Sequence, residues 1–177
     1  MNKLAATPLL AALLGLSQCK KNNPDPASQL PLATQTGANT LGCLVNGQPW
    51  TPQGNDGASN YSISYDQNPY GVLDLTTYRY QQKPTDNYQY MIIFASDLRG
   101  PRSYDLRDIN TSRVSWYDRL THCDQSSRDK DTFHKGTLTI TKLDLQAGII
   151  AGTFDFVLAK PGCDTVRITQ GRFDKRL

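Results

Sequence analysis

In three runs between Gly136 and Asp174, apolar side chains recur at every second residue. The segment GTLTITKL puts Leu138 and Ile140 on one side and Thr137, Thr139 and Thr141 on the other. Residues 149–158 align Ile150, Phe154, Phe156 and Leu158, with Gly152 in register among them. Residues 164–174 return with Val166 and Ile168 inward; Gly171 marks a bulge, after which Phe173 takes the inward position. A period of two is that of a strand with one buried face, since successive side chains point to opposite sides of a sheet. The connection Asp144–Gly148 is short enough for a hairpin, so the three runs predict an antiparallel meander.

Upstream of it the same signals recur. Gly42-Cys43-Leu44-Val45 leads into Asn46-Gly47, a strong hairpin signal because both residues tolerate positive φ, and then into Gln48-Pro49-Trp50. Tyr61, Ile63 and Tyr65 share a face, as do Leu73 and Leu75. YQYMIIFA over 88–95 is more continuously apolar and suits the middle of a sheet. Arg113–Tyr117 reads as a short strand around Val114 and Trp116. No long apolar stripe of period 3.6 follows the N-terminal region, and residues 103–112 are the best place for a short helical turn. The expected fold is all-β, an antiparallel β-sandwich of about eight to ten strands, with a flattened β-barrel as the alternative.

The first residues have another origin. Lys3 precedes the thirteen apolar residues LAATPLLAALLGL, too few to span a bilayer and the right length for a secretory signal. Leu16-Ser17-Gln18-Cys19 follows. It resembles a bacterial lipoprotein signal, which implies cleavage before Cys19 and acylation of that residue, although Gln18 stands where a small residue is usual. Several acyl chains would anchor the chain stably. Residues 20–40, with Pro24, Pro26 and Pro31, read as a flexible tether of roughly 25 Å. The expected division is thus a signal over 1–18, a lipidated Cys19 with its tether over 19–40, and one β domain over 41–177. The expected location is the cell envelope, as an outer-membrane lipoprotein facing the periplasm or the surface.

Residues 34–50, TQTGANTLGCLVNGQPW, and the blocks GTLTITKLD, AGTFDF and CDTVRITQGRFD within 136–174 resemble lipoproteins of the Bacteroidota that carry no assigned activity. The resemblance covers roughly a third of the chain. It implies an acylated cysteine, a polar tether and a β domain, and supplies no catalytic residue.

Charge and cysteine usage narrow the function. Nineteen Lys and Arg against 16 Asp and Glu give a net charge of +3, too small and scattered for a nucleic-acid groove. Beyond Cys19 the cysteines are Cys43, Cys123 and Cys163, which allow three single pairings in an oxidising compartment. Cys123 precedes the 137–143/149–158 hairpin and Cys163 follows it, so antiparallel pairing favours Cys123–Cys163 and leaves Cys43 as a small buried hydrophobe. No Cys-x-x-Cys spacing, phosphate loop or catalytic motif is present, so no metal, no cofactor and no enzyme activity is expected. His122 and His134 read as loop histidines, and Asp124–Asp131 as a solvated loop.

The tyrosines carry the one functional hint. Tyr78 and Tyr80 share one face of their strand, and Tyr88 and Tyr90 one face of theirs, with QQKPTDN between them. In phase, the four rings would form a platform suited to a sugar; the reading favoured over it is that such cross-strand pairs merely stabilise an exposed sheet face. The expected function is therefore a non-enzymatic binding or envelope-interaction module. Its partners are the membrane, through the lipid, and a glycan or another envelope protein; the alternative is a glycan-binding lipoprotein using the tyrosine face.

Overall fold

The computed structural model describes residues 24–55, 57–80 and 87–177. A single 3₁₀ turn, Pro26–Gln29, precedes eleven strands, a few more than expected. They are β1 (Thr40–Val45), β2 (Gln48–Trp50), β3 (Tyr61–Asp66), β4 (Val72–Tyr80), β5 (Tyr88–Ala95) and β6 (Arg102–Asp105). β7 (Ser112–Asp118), β8 (Cys123–Ser126), β9 (Phe133–Asp144), β10 (Ile149–Ala159) and β11 (Val166–Arg176) complete the set. Two sheets result, in the orders β2-β1-β11-β10-β9-β6 and β3-β4-β5-β7-β8, and every strand pair is antiparallel. The sheets pack face to face as a β-sandwich; neither closes into a barrel.

The alternating patterns fall where the sequence puts them. Leu138, Ile140, Ile150, Phe156, Leu158 and Ile168 of the six-stranded sheet are buried against Leu73, Leu75, Met91, Ile93 and Val114 of the five-stranded one. Burying each such side chain contributes about 1.5–3 kcal/mol, which makes this layer the main stabilising element. β5 is the central strand of its sheet. Asn46 and Gly47 both adopt positive φ, 49° and 81°, as the tight β1–β2 hairpin requires. The meander β9-β10-β11 forms, and the register of β10 against β11 shifts between Phe154 and Phe156. The extra residue lies on β11, where Gln170 has φ 52° and Gly171 lies opposite Phe154. Past this bulge Phe173 turns inward and stacks on Phe154 at 6.4 Å.

Two expectations need correction. Residues 103–112 do not form a short helix: Arg102–Asp105 is strand β6, paired with β9, and what remains is one hydrogen-bonded turn in which Ser112 N donates to Asp108 O at 2.8 Å. The pairing edge offered by β9 outweighs the local helical preference. The tether expected over 20–40 is not free along its whole length either. Leu30 is buried, and Pro31 lies so close over Gly42 that a β-carbon there would stand 2.6 Å from Pro31 Cδ. Further along, the buried Asp174 carboxylate accepts from Thr34 Oγ1 (2.6 Å) and from the backbone N–H groups of Thr36 (2.9 Å), Gly37 (2.7 Å) and Ala38 (3.1 Å). Burial by itself raises the pKa of Asp174, but the hydrogen bonds from Thr34, Thr36, Ala38 and Gly37 outweigh it and hold the carboxyl below its ordinary value. Residues 30–38 thus form a strap across the outer face of the six-stranded sheet.

A candidate ligand cleft between the sheets

Cys123 and Cys163 are joined by a disulfide with a Cα–Cα distance of 5.7 Å, the pairing favoured from the hairpin geometry. Cys43 is fully buried, and burial pushes its thiol up to about 12. It behaves as core. Cys19 lies outside the described residues, as does most of the connection between Tyr80 and Tyr88.

β4 and β5 pair Tyr78 with Tyr90 and Tyr80 with Tyr88, so the four rings are in phase on the outer face of the five-stranded sheet. Tyr80 packs edge-on to Tyr78 and to Tyr88, at 5.2 and 5.9 Å, and Tyr117 of β7 extends the group beside Tyr90. Tyr78, however, is buried and unavailable as a platform ring. The chain before β3 folds over it: Tyr78 Oη donates to Ala58 O, Gln53 N donates to Tyr78 O, and Gly54 approaches the Tyr80 ring. Tyr80, Tyr88 and Tyr90, three of the four expected rings, remain partly exposed with Tyr117.

The same strands present a different face inward. Register places Arg79 opposite Gln89, Gln89 opposite Asp118 and Asp118 opposite Cys123, a row across four strands and about 14 Å long. The next row inward holds Thr77, Met91, Trp116 and Gln125. Inward positions are apolar through Leu73, Leu75, Ile93 and Val114, then turn polar at this one end of the sandwich. Across from them lie Val45, Gln48, Pro49 and Trp50 of β1 and β2, and Gly162, Asp164 and Val166 at the start of β11. Together they enclose a cleft of about 510 Å³, open to solvent.

Its floor is the pair Trp50 and Trp116, one from each sheet, edge to face at 5.9 Å. Both are buried, as befits a floor. Polar bridges tie its walls together. Trp50 Nε1 donates to Gln89 Oε1 (2.9 Å), and Gln89 Nε2 donates to Asp118 Oδ2 (3.0 Å). Arg79 Nη1 donates to Pro49 O (3.2 Å), and Gln125 Nε2 donates to Asp164 O (2.9 Å). Two groups are left over. Arg79 Nε and Gln125 Oε1 are buried without a hydrogen-bond partner, and Gln125 as a whole is only 1% exposed. Leaving such groups unmatched costs roughly 1–3 kcal/mol each, so they are conspicuous in a cleft that is otherwise well bonded.

Several polar and reactive groups in or near the cleft already have partners. Both Asp118 oxygens already accept N–H groups, from Gln89 and Leu120. Cys123 is tied up in the disulfide. His134 faces the carbonyls of Arg107 and Thr132, away from the cleft. Among the described residues no group of three His, Cys, Asp or Glu side chains is placed to hold a metal ion. The sequence carried one signal for the cleft, the switch of the inward positions to Arg79, Gln89 and Asp118. Attention to aromatic content pointed to the other parity of the same strands. No family model, no curated protein and no solved structure matches the chain.

Proposed function

We propose that the chain is an exported lipoprotein, anchored to the bacterial envelope through Cys19, that binds a small polar ligand in the cleft between its sheets. The observation that carries the binding reading is the cleft itself: a tryptophan floor, a polar row and two buried unmatched groups at one end of an otherwise apolar sandwich. Leu16-Ser17-Gln18-Cys19 supports the anchor, and a disulfide in the folded domain suits an oxidising compartment. The resemblance to Bacteroidota lipoproteins supports the same location.

The chain contains only two tryptophans, both in the cleft floor, so tryptophan emission, excited selectively at the red edge where the nine tyrosines do not absorb, reports on this site. A panel of neutral and charged saccharides and small organic acids should include at least one that shifts tryptophan emission saturably. Labelled palmitate should enter the wild type and not Cys19→Ser; equal labelling would remove the anchor. The tyrosine face remains a second reading because Tyr80, Tyr88 and Tyr90 are in phase. A glycan whose retention is lost in Tyr80→Ala/Tyr88→Ala, with tryptophan emission unmoved, would favour that reading over the cleft.

A further inference from the structure

Resting on that reading of the cleft, we infer that its ligand is a small hydroxylated monocarboxylate of the sugar-acid class, bound with its carboxylate on Arg79 and its hydroxyls toward Gln125. Arg79 is a half-buried cation that takes part in no ion pair among the described residues; the pairs present join Arg99, Arg107, Arg119, Lys142 and Lys160 to their acids. Its Nη1 donates to a neutral carbonyl, Pro49 O, and its Nε is unmatched. A guanidinium removed from water without an anion is costly, and a carboxylate is its natural planar partner.

The acids of the cleft limit how much negative charge a ligand can bring. Asp118 lies two strands from Arg79 in the same row, and Asp164 lines the opposite wall. A phosphate with close to two charges would meet repulsion from both, whereas one carboxylate is matched by Arg79. At the far end the unmatched group is a neutral acceptor, Gln125 Oε1, which calls for a donor. A ligand hydroxyl supplies that donor. The ligand therefore presents its anion to Arg79 and hydroxyl donors on the side that faces Gln125, one row further in.

The test titrates the full chain with glucuronate, its neutral methyl ester, glucose and inorganic phosphate, following tryptophan emission. Glucuronate should give a saturable shift, with the ester, glucose and phosphate weaker by about tenfold or more, the cost of losing a charged hydrogen bond. Arg79→Gln should weaken glucuronate by a similar factor and leave the response to the ester unchanged. If that variant does not fold, the comparison of acid and ester on the wild type decides alone. Equal binding of glucuronate and glucose would overturn the carboxylate assignment and leave the cleft as a neutral-sugar site. Phosphate binding as well as glucuronate would overturn the hydroxyl requirement. Absence of any shift with glucuronate would overturn the sugar-acid assignment, while the wider ligand panel judges the cleft separately.

Discussion

β4, β5 and β7 show two unlike faces to the molecule. Outward they carry Tyr80, Tyr88, Tyr90 and Tyr117, aromatic, noticeable in the sequence and partly exposed. Inward, at one end, they carry Arg79, Gln89 and Asp118 above Trp116, facing a second sheet across a cleft. The outer rings largely satisfy one another through edge contacts, and Tyr88 also lies under the Arg119 guanidinium. Of the inner groups Arg79 Nε is left unmatched, as is Gln125 Oε1 on the neighbouring β8; on the outer face Asp74 Oδ1 and Arg113 Nε are likewise unmatched, but among the described residues they line no cleft with the tyrosines. Aromatic density thus accompanies sheet packing here, while the concave, walled space lies on the other parity of the same strands.

The largest effect should come from the floor. Trp116→Ala removes a buried ring that contacts the opposite sheet through Trp50, and should destabilise the fold by about 3–5 kcal/mol in denaturant titration. A loss below about 1 kcal/mol would show that the two sheets are not held together at this end as described. Next is the cleft wall. Cys123→Ser with Cys163→Ser opens a loop of 40 residues and should cost about 3–4 kcal/mol. It should also weaken ligand binding, because the loop carrying Gly162 and Asp164 loses its tie to β8.

The outer face of the six-stranded sheet supplies a control, an outer face covered by chain rather than by rings. Asp174→Asn removes the charge that gathers Thr34, Thr36, Gly37 and Ala38, and should cost about 2 kcal/mol while leaving tryptophan emission unchanged. The pH dependence follows from the lowered pKa of Asp174. A depressed carboxyl stabilises the fold fully above the ordinary carboxylate range, and that contribution is lost as pH falls through its folded value. Wild type should therefore lose strap stability in acid, and Asp174→Asn should lack that component of the acid transition. The smallest effect belongs to the tyrosines. Tyr80→Ala with Tyr88→Ala should cost no more than about 1 kcal/mol and leave cleft binding intact. A larger loss, or loss of the tryptophan response, would break the distinction between the two faces.

What was readable in advance was local. Alternation in 136–174, the Asn46-Gly47 turn, the bulge at Gly171 and the Cys123–Cys163 pairing all depend on periods and short connections that a chain displays residue by residue. The in-phase tyrosines were open to the same reasoning, because β4 and β5 are neighbours in sequence. Burial of Tyr78 was not, since it depends on how Gln53, Gly54 and Ala58 lie over the strand.

Period-two patterning and turn chemistry by themselves determined an all-β antiparallel fold, because a strand with one apolar face has few ways to bury it; the sheet orders decided the sandwich over a barrel. Tertiary structure alone decided the cleft and the strap. Arg79, Gln89, Asp118 and Gln125 meet through the register of four strands, and Trp50 joins them from the other sheet. Asp174 captures Thr34 to Ala38 from about 140 residues away in the chain. Such meetings are set by the closure of long loops and the packing of two layers, so no local pattern in the sequence records them.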